Sequence, residues 1–366
     1  MGERRTNYHR VDWLTAHEKH PGDANAQMLS AIATPRSAVH IGVVIPYFQH
    51  EAGLLRRALG SVAAQEHSPV QVVVVDDGSP YPAAEELTPA LRNALPSLTV
   101  IRQTNEGIAA ARNVALDALT PDVTAIALLD SDDYWERSHL RNAATALALG
   151  ADFFFSNSRV EGESVDYFQR HPRRGSFAPV AEAASIMRWS DSVSALIATG
   201  SAFATPTVVF RRGLVPDIRF PESFRRAGED QMAFWELLVR SSSIMFCIEP
   251  TVVIGLGGLG TWRNSTLGSV TNLTRLADEI RLRQHVIRSY PVNAADRRQV
   301  RRAIAIRRLA ALESALHLLR RRREDALNEM IYLLRSDPMC AASWCVGFPK
   351  LLYRWIREHL LGPART

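Results

Sequence analysis

Residues 41–46 (IGVVIP) and 70–75 (VQVVVV) are almost unbroken runs of β-branched residues, and polar residues follow each run directly. A strand with one wet face alternates polar and apolar residues. These two do not, so both of their faces must be covered, as in a parallel sheet flanked by helices. Between them Leu54, Leu55, Ala58, Leu59 and Val62 recur at helical spacing and form one apolar stripe. The segment reads as a βαβ unit, which sets the fold class as α/β.

The alternation continues with a strand near Leu98–Arg102, a helix near Ile108–Leu119, a strand at Val123–Leu129, a helix at Arg137–Leu149 and a strand at Asp152–Ser156. In such sheets ligands lie beyond the carboxyl ends of the strands, so the polar residues after each run are expected to converge. After Ser156 the pattern fades into loops. A helix is expected near Ala181–Trp189, apolar stretches at Ser201–Phe210 and Ile244–Ile254, and a helix beginning near Asp230. From about Thr274 a helical pattern dominates, with Leu309, Leu312, Leu316 and Leu319 along one face. The expected organisation is a polar extension over 1–39, a ligand-binding half over 40–157, a second, substrate-shaping half over 158–273 and a basic helical region over 274–366.

Three acidic elements carry the chemistry. Asp76-Asp77-Gly78-Ser79 follows the second run, where it also suits an ordinary turn. Asp130-Ser131-Asp132-Asp133 puts three acids within four residues at a strand end, a repulsion that asks for a cation. Mg²⁺ or Mn²⁺ takes one or two carboxylates and completes its octahedron with waters and phosphate oxygens, so a diphosphate enters the inference with the metal. Gly228-Glu229-Asp230 opens a helix anchored by Phe234, Trp235, Leu237 and Leu238, where acids also suit the macrodipole. A fourth element, Asn105-Glu106-Gly107, precedes a helix that carries Arg112 about a turn and a half inside, in reach of a phosphate or of a surface carboxylate.

Taken in order, IPYFQ, VVVVDDGS, NEGIAAARN, LLDSDDYW and GEDQMAFW resemble the inverting family-2 glycosyltransferases of GT-A fold, over roughly residues 40–272. The resemblance is to non-processive members of the bacterial surface-polysaccharide type. It implies a Rossmann-like nucleotide-diphospho-sugar transferase sheet with an acceptor-binding half and a C-terminal helical appendage. It further implies that Pro46 and Tyr47 lie against the nucleotide, that Asp77 accepts from the base, typically uracil, and that Asp76 supports the ribose or the turn. Asn105 and Gly107 belong to the same donor site, Arg112 contacts the base or diphosphate, Asp130 the ribose side and the metal, and Asp132 the metal. Asp230 is the implied general base, with Glu229 and Trp262 on the acceptor side.

The chain departs from the family pattern at two places. Gln49 stands where relatives often have Asn, and Thr266 where many carry a metal-binding His, which leaves the gap to water or to His50, by default a surface residue. Processive synthases carry Gln-x-x-Arg-Trp; here Leu351 stands three residues before Arg354-Trp355, which favours addition of one sugar. Nucleotidyl transfer would want a Gly-rich loop with a Lys after the first strand, and IPYFQHEAG lacks it. The remaining alternative is a nucleotide-sugar-binding scaffold without catalysis.

Charge and cysteines bound the rest. The formal net charge is +5, but from Arg275 onward 19 Lys or Arg stand against 9 Asp or Glu, out of 43 and 38 in the chain, so the body is mildly acidic. With no reading motif, that tail argues against nucleic acid. Residues 348–360 put Phe348, Leu351, Leu352, Trp355, Ile356 and Leu360 on one face with Lys350, Arg354 and Arg357 off it. This is the pattern of a helix lying on an anionic membrane or packing on the protein. Cys247, Cys340 and Cys345 form no metal or disulfide spacing, and the polar start lacks an apolar signal region. The expectation is a cytoplasmic protein, peripheral at the inner face of the cell membrane, with a glycan or lipid-linked acceptor.

Overall fold

The computed structural model of the chain describes residues 38–95, 97–171, 176–193, 196, 203–214, 217–224, 227–257, 269–290, 292–320, 325–347 and 349. The chain separates into two units, Met1–Ala38 and Val39–Thr366, and all of the described strands and helices belong to the second. Among the described residues ten strands form one mixed sheet: β1 (Ile41–Tyr47), β2 (Gln71–Asp77), β3 (Leu98–Gln103), β4 (Ala125–Leu128), β5 (Tyr134–Trp135), β6 (Phe153–Val160), β7 (Phe177–Val180), β8 (Ala183–Trp189), β9 (Val209–Arg211) and β10 (Ile244–Ile254). Their order is 3-2-1-4-9-6-10-8-7, with β5 pairing on β10. The helices are α1 (Leu54–Ala63), α2 (Pro89–Ala94), α3 (Ile108–Asp117), α4 (His139–Ala148), α5 (Tyr167–Arg170), α6 (Glu229–Arg240), α7 (Val270–Ser289), α8 (Ala294–Arg320) and α9 (Asp325–Ser336).

The unbroken apolar runs become central strands. β1 is parallel to β2 on one side and to β4 on the other, and β2 is parallel to β3. The path therefore reverses direction about β1, which opens a crevice at the carboxyl ends of β1 and β4. Alternate residues feed opposite layers. Val44, Val73, Val75, Ile126, Leu128, Phe153 and Phe155 pack with α3 and α6. Val43, Ile45, Val72, Val74, Ala127 and Phe154 pack with α1 and α4. The spacing of two residues per repeat and the burial of both faces are one observation.

Beyond β4 the sheet changes character. The apolar stretch ending at Phe210 supplies the short β9, antiparallel to both β4 and β6, and so joins the parallel half to β6 and β10. The helix expected near Ala181–Trp189 is instead strand β8, paired antiparallel with β7 and β10. Its alanines favour helix locally, but an open edge of β10 rewards extended backbone with ladder hydrogen bonds, and tertiary pairing overrides a weak propensity.

The first of the C-terminal helices, α7, contributes to two cores. Leu282 and Val286 of α7 enter the core beneath α3 and α6. Leu273, Leu276, Ala277 and Ile280 of the same helix form a separate core with α8 and α9. The buried face of α8 is Val300, Ile304, Ala311, Leu312, Ala315 and Leu318, whereas Leu319 of the expected stripe is exposed. Small residues at the helix contact explain the difference, since a count of leucines passes over Ala311 and Ala315. Arg301 and Arg302 are exposed, whereas Arg307 and Arg308 are paired with Glu279 and Asp337. Among the described residues no helix is long and apolar enough to cross a membrane. The amphipathic face over residues 348–360 lies, apart from Pro349, outside the described residues. Trp344 packs on α8, its indole N–H donating to the Arg308 carbonyl at 3.2 Å.

Candidate active site

Asp76 and Asp77 end β2 with both side chains buried, and each is occupied by protein donors. Asp76 accepts from the Ser79 and Ala83 amides at 2.8 and 2.9 Å and from Arg102 at 3.0 Å. Asp77 accepts from Gln103 Nε2 at 2.7 Å and from the Glu106 and Gly107 amides, both at 2.9 Å. Of the two roles open to Asp76, these contacts are those of a turn support. Asp77 fastens the Asn105-Glu106-Gly107 loop to β2 and so sets where α3 begins. Gly78 is required between them: its φ is +68°, and a Cβ there would lie 2.9 Å from the Asn105 amide nitrogen. Pro46 and Tyr47 are the buried end of β1. The Tyr47 hydroxyl donates to the Tyr81 carbonyl at 2.8 Å, and burial pushes its pKa up to about 12.

Arg112 joins the two halves of the site. It is 2% exposed, so the alternative of a surface ion pair gives way to a buried bridge. One terminal nitrogen donates to Asp130 Oδ1 at 2.9 Å and the other to Glu229 Oε1 at 3.1 Å, with the Phe220 ring 5.2 Å from the guanidinium carbon. Burial opposes the charge, yet Asp130, Glu229 and Asp230 hold its pKa above the ordinary arginine value. Glu229 is the under-compensated partner: burial, and then the neighbouring Asp230, raise its carboxyl to about 7. The helix that carries this pair starts at Gly228 with φ +103° and no side-chain cap, so neither acid serves as the N-cap. Asp230 Oδ2 accepts from the Thr205 hydroxyl at 2.8 Å, and Oδ1 from the Gln231 amide at 2.6 Å.

Asp132 and Asp133 are tied to the end of β10. The Asp132 carbonyl accepts from Arg57 at 2.9 Å, and Arg57 also grips Glu161 at 2.8 Å. Asp133 accepts the Gly255 amide at 2.8 Å. The two backbones touch so closely that a Cβ on Gly255 would stand 1.9 Å from the Asp132 carbonyl oxygen. Burial, and then the charges of Asp132 and Asp130, push the Asp133 carboxyl well above the usual range.

This donor set bears on the expected metal. Among the described residues no three His, Cys, Asp or Glu side chains converge to hold an ion unaided. His50 is exposed. Arg112 occupies one Asp130 oxygen, and the repulsion felt at Asp133 marks a local excess of negative charge. Two carboxylates with a charge excess fit a hard divalent ion that arrives with phosphate oxygens, rather than one held by protein alone.

The contacts thus run from Asp77 through the start of α3 to Arg112, Asp130, Glu229 and Asp230, with Asp132 two residues beyond Asp130. Asn105 is exposed beside Gly107. Trp262 lies outside the described residues. Thr205 had no sequence signal: a threonine within an apolar stretch looks like core until the fold sets it against an acid. The grip of Arg57 on the Asp132 backbone was equally hidden, because a main-chain acceptor leaves no mark in sequence.

Comparison with known proteins agrees with this architecture. Residues 42–210 match the family model described as Glycosyl transferase family 2. The succinoglycan biosynthesis protein ExoW of Rhizobium meliloti is 33% identical over 220 residues, which cover 59% of this chain and 68% of ExoW. Among solved structures, a mannosyltransferase from Pyrobaculum calidifontis in complex with GDP-Man and Mn²⁺ aligns with a TM-score of 0.53 at 18% identity, covering 89% of this chain and 88% of that one. TarS of S. aureus aligns with a TM-score of 0.52 at 18% identity, covering 82% and 54%.

Proposed function

Because the chain belongs to glycosyltransferase family 2, and is a glycosyltransferase of GT-A fold, we propose that it transfers a single sugar, with inversion, from a UDP-sugar to an acceptor hydroxyl on a lipid-linked or surface polysaccharide. The observation that carries this reading is the Arg112 bridge, which puts Asp130 at the end of a donor-side strand and the Glu229-Asp230 pair into one charged centre. Residues 40–157 would hold the donor and 158–273 the acceptor. ExoW, a relative named for polysaccharide biosynthesis, supports the acceptor class. Attachment of the basic region 274–366 to an anionic inner membrane surface would bring a lipid-linked acceptor within reach.

Each residue has a task in this reading. Asp77 and the main chain near Pro46 and Tyr47 receive the base, and Asp77 keeps acceptor capacity on Oδ2, which takes one protein donor where Oδ1 takes two. Asp130 and Asp132 would hold Mn²⁺ or Mg²⁺ together with the diphosphate. A divalent ion there supplies Lewis-acid stabilisation of the departing nucleotide. Arg112 adds fixed positive charge from a buried position, where a preorganised charge acts more strongly than in water. Asp230 takes the acceptor's proton as the oxygen attacks the anomeric carbon and the bond to the diphosphate breaks. Thr205 holds one of its oxygens and so turns the carboxylate.

A thermal-shift panel of UDP-glucose, UDP-galactose, UDP-N-acetylglucosamine and GDP-mannose, with and without Mn²⁺, tests the donor side. One UDP-sugar should stabilise the fold in the presence of Mn²⁺, by about 2.7 kcal/mol at a hundredfold excess over Kd. No stabilisation by any member overturns the donor assignment.

A further inference from the structure

The segment before α6 is held from two sides. On the sheet side, Asn113 of α3 clasps Phe220 at both ends of its side chain. It donates to the Phe220 carbonyl at 3.0 Å and accepts the Phe220 amide at 2.8 Å. On the tail side, Arg281 of α7 donates to the Ser223 carbonyl at 2.9 Å and lays its guanidinium 4.9 Å from the Phe224 ring centre. Phe224 is the residue against which Gly228 sits: a Cβ on Gly228 would come within 3.2 Å of the ring. Gly228 is the residue immediately before Glu229 and Asp230.

Arg281 is itself set by the C-terminal helices. Its guanidinium donates to the Tyr332 hydroxyl of α9 at 2.8 Å and lies 3.6 Å from Asp278 Oδ1. Asp278 is fully buried, accepts from Tyr332 and faces the Ala227 amide at 3.4 Å. A buried carboxylate is expensive unless it is paired and hydrogen-bonded, and this one is paired across three elements. Its contacts lead to the backbone from which the proposed base projects.

We infer that the C-terminal helical region positions the base, with Arg281 as the positioning residue and Tyr332 and Asp278 as the groups that aim it. The inference rests on the assignment of Asp230 as general base. It gives the appendage a part in turnover separate from any membrane attachment. A misplacement of about 1 Å far from the reacting atoms can cost on the order of a hundredfold in rate, so a small loosening at Phe224 and Gly228 is enough.

The test uses the full chain in Tyr332→Phe, which removes one hydroxyl, and in Arg281→Met, with Asp230→Asn as reference. UDP release from the UDP-sugar that stabilises the wild type most is followed beside hydrogen exchange of peptides over 220–232 and 41–77. Tyr332→Phe and Arg281→Met should lower kcat by about tenfold or more, keep donor KM within about twofold, and speed exchange over 220–232 without changing it over 41–77. Arg281→Lys, which keeps a donor for Ser223, should recover part of the rate. Unchanged kcat in both variants while Asp230→Asn is inactive overturns the inference, as does a loss that appears in donor KM or in exchange across the whole sheet. If Asp230→Asn itself turns over normally, the base assignment has failed instead, and the 220–232 exchange still reports whether Arg281 holds Ser223 and Phe224.

Discussion

The carboxylates at the end of β2 and those at the start of α6 are chemically alike and are treated in opposite ways. Asp76 and Asp77 each collect three protein donors, several of them main-chain amides. Asp230 has Thr205 and the adjacent amide, and Glu229 shares one buried arginine with Asp130. Saturated acids hold shape, because removing them orphans several buried donors at once. Under-served acids are where charge stays available for a substrate. The turn after β2 is closed by those donors, while α6 begins at Gly228 with no side-chain cap.

The contrast is broken most decisively at Asp230. Asp230→Asn should lower turnover by about 10²–10⁴-fold with donor affinity and stability kept, as read from UDP release and thermal shift with the donor. An Asp230→Asn variant that releases UDP at the wild-type rate would remove Asp230 as the base. A wild-type chain that binds the donor and releases no UDP would instead be a nucleotide-sugar-binding protein without catalysis. Asp77→Ala should do the reverse and cost about 3 kcal/mol of stability in urea denaturation, since three donors lose their acceptor. If Asp230→Asn unfolds more readily than Asp77→Ala, the division between shape-holding and working acids is wrong.

Titration sharpens the same comparison. Glu229, raised by burial to about 7, is more basic in the fold than in the unfolded chain, so its stability is full below about 4.5 and lost as pH rises through 7. Glu229→Gln should flatten that decline, worth about 2 kcal/mol between pH 5 and 8 in chemical denaturation. His139 gives the opposite sign on the sheet side. It is fully buried, stacks on Trp135, and burial lowers its pKa to about 3, so stability falls as pH drops below the unfolded value near 6.5. At pH 5 the loss should be about 2 kcal/mol, and His139→Gln should remove that dependence. The smallest effect is expected at Thr205: Thr205→Val, which removes the hydroxyl that holds Asp230, should lower kcat by about threefold with donor KM kept, and Thr205→Ser should restore it.

Much of the parallel half was legible in sequence because its signals are local. The runs at 41–46 and 70–75 can be buried only one way, and the acids that follow them are carried to one edge by topology alone. The second half was harder to read. Strand β8 exists because β10 offers an edge, and nothing within Ala183–Trp189 announces that edge. The same holds within the site. Asp130, Glu229 and Asp230 stand out by type and spacing, but the depth of Arg112 and the hydroxyl of Thr205 depend on segments far away in the chain. The tail's part in fixing Arg281 was invisible for that reason, since its residues read as an ordinary amphipathic helix.

The contact between Gly255 and the Asp132 carbonyl has a practical consequence for anyone wishing to recombine this enzyme with a relative. Exchanging the sequence around the end of β10 requires a junction, and a junction that places any side chain at 255 would wedge the aspartate loop off the strand end. Splicing after Leu256 instead leaves the Gly255 amide on Asp133 and the Leu256 amide on Glu161 intact. Grafts made there should preserve the donor chemistry of the parent if they keep glycine at 257, where a Cβ would lie 2.4 Å from Leu54, while grafts made a few residues earlier should lose it unless they import glycine at 255.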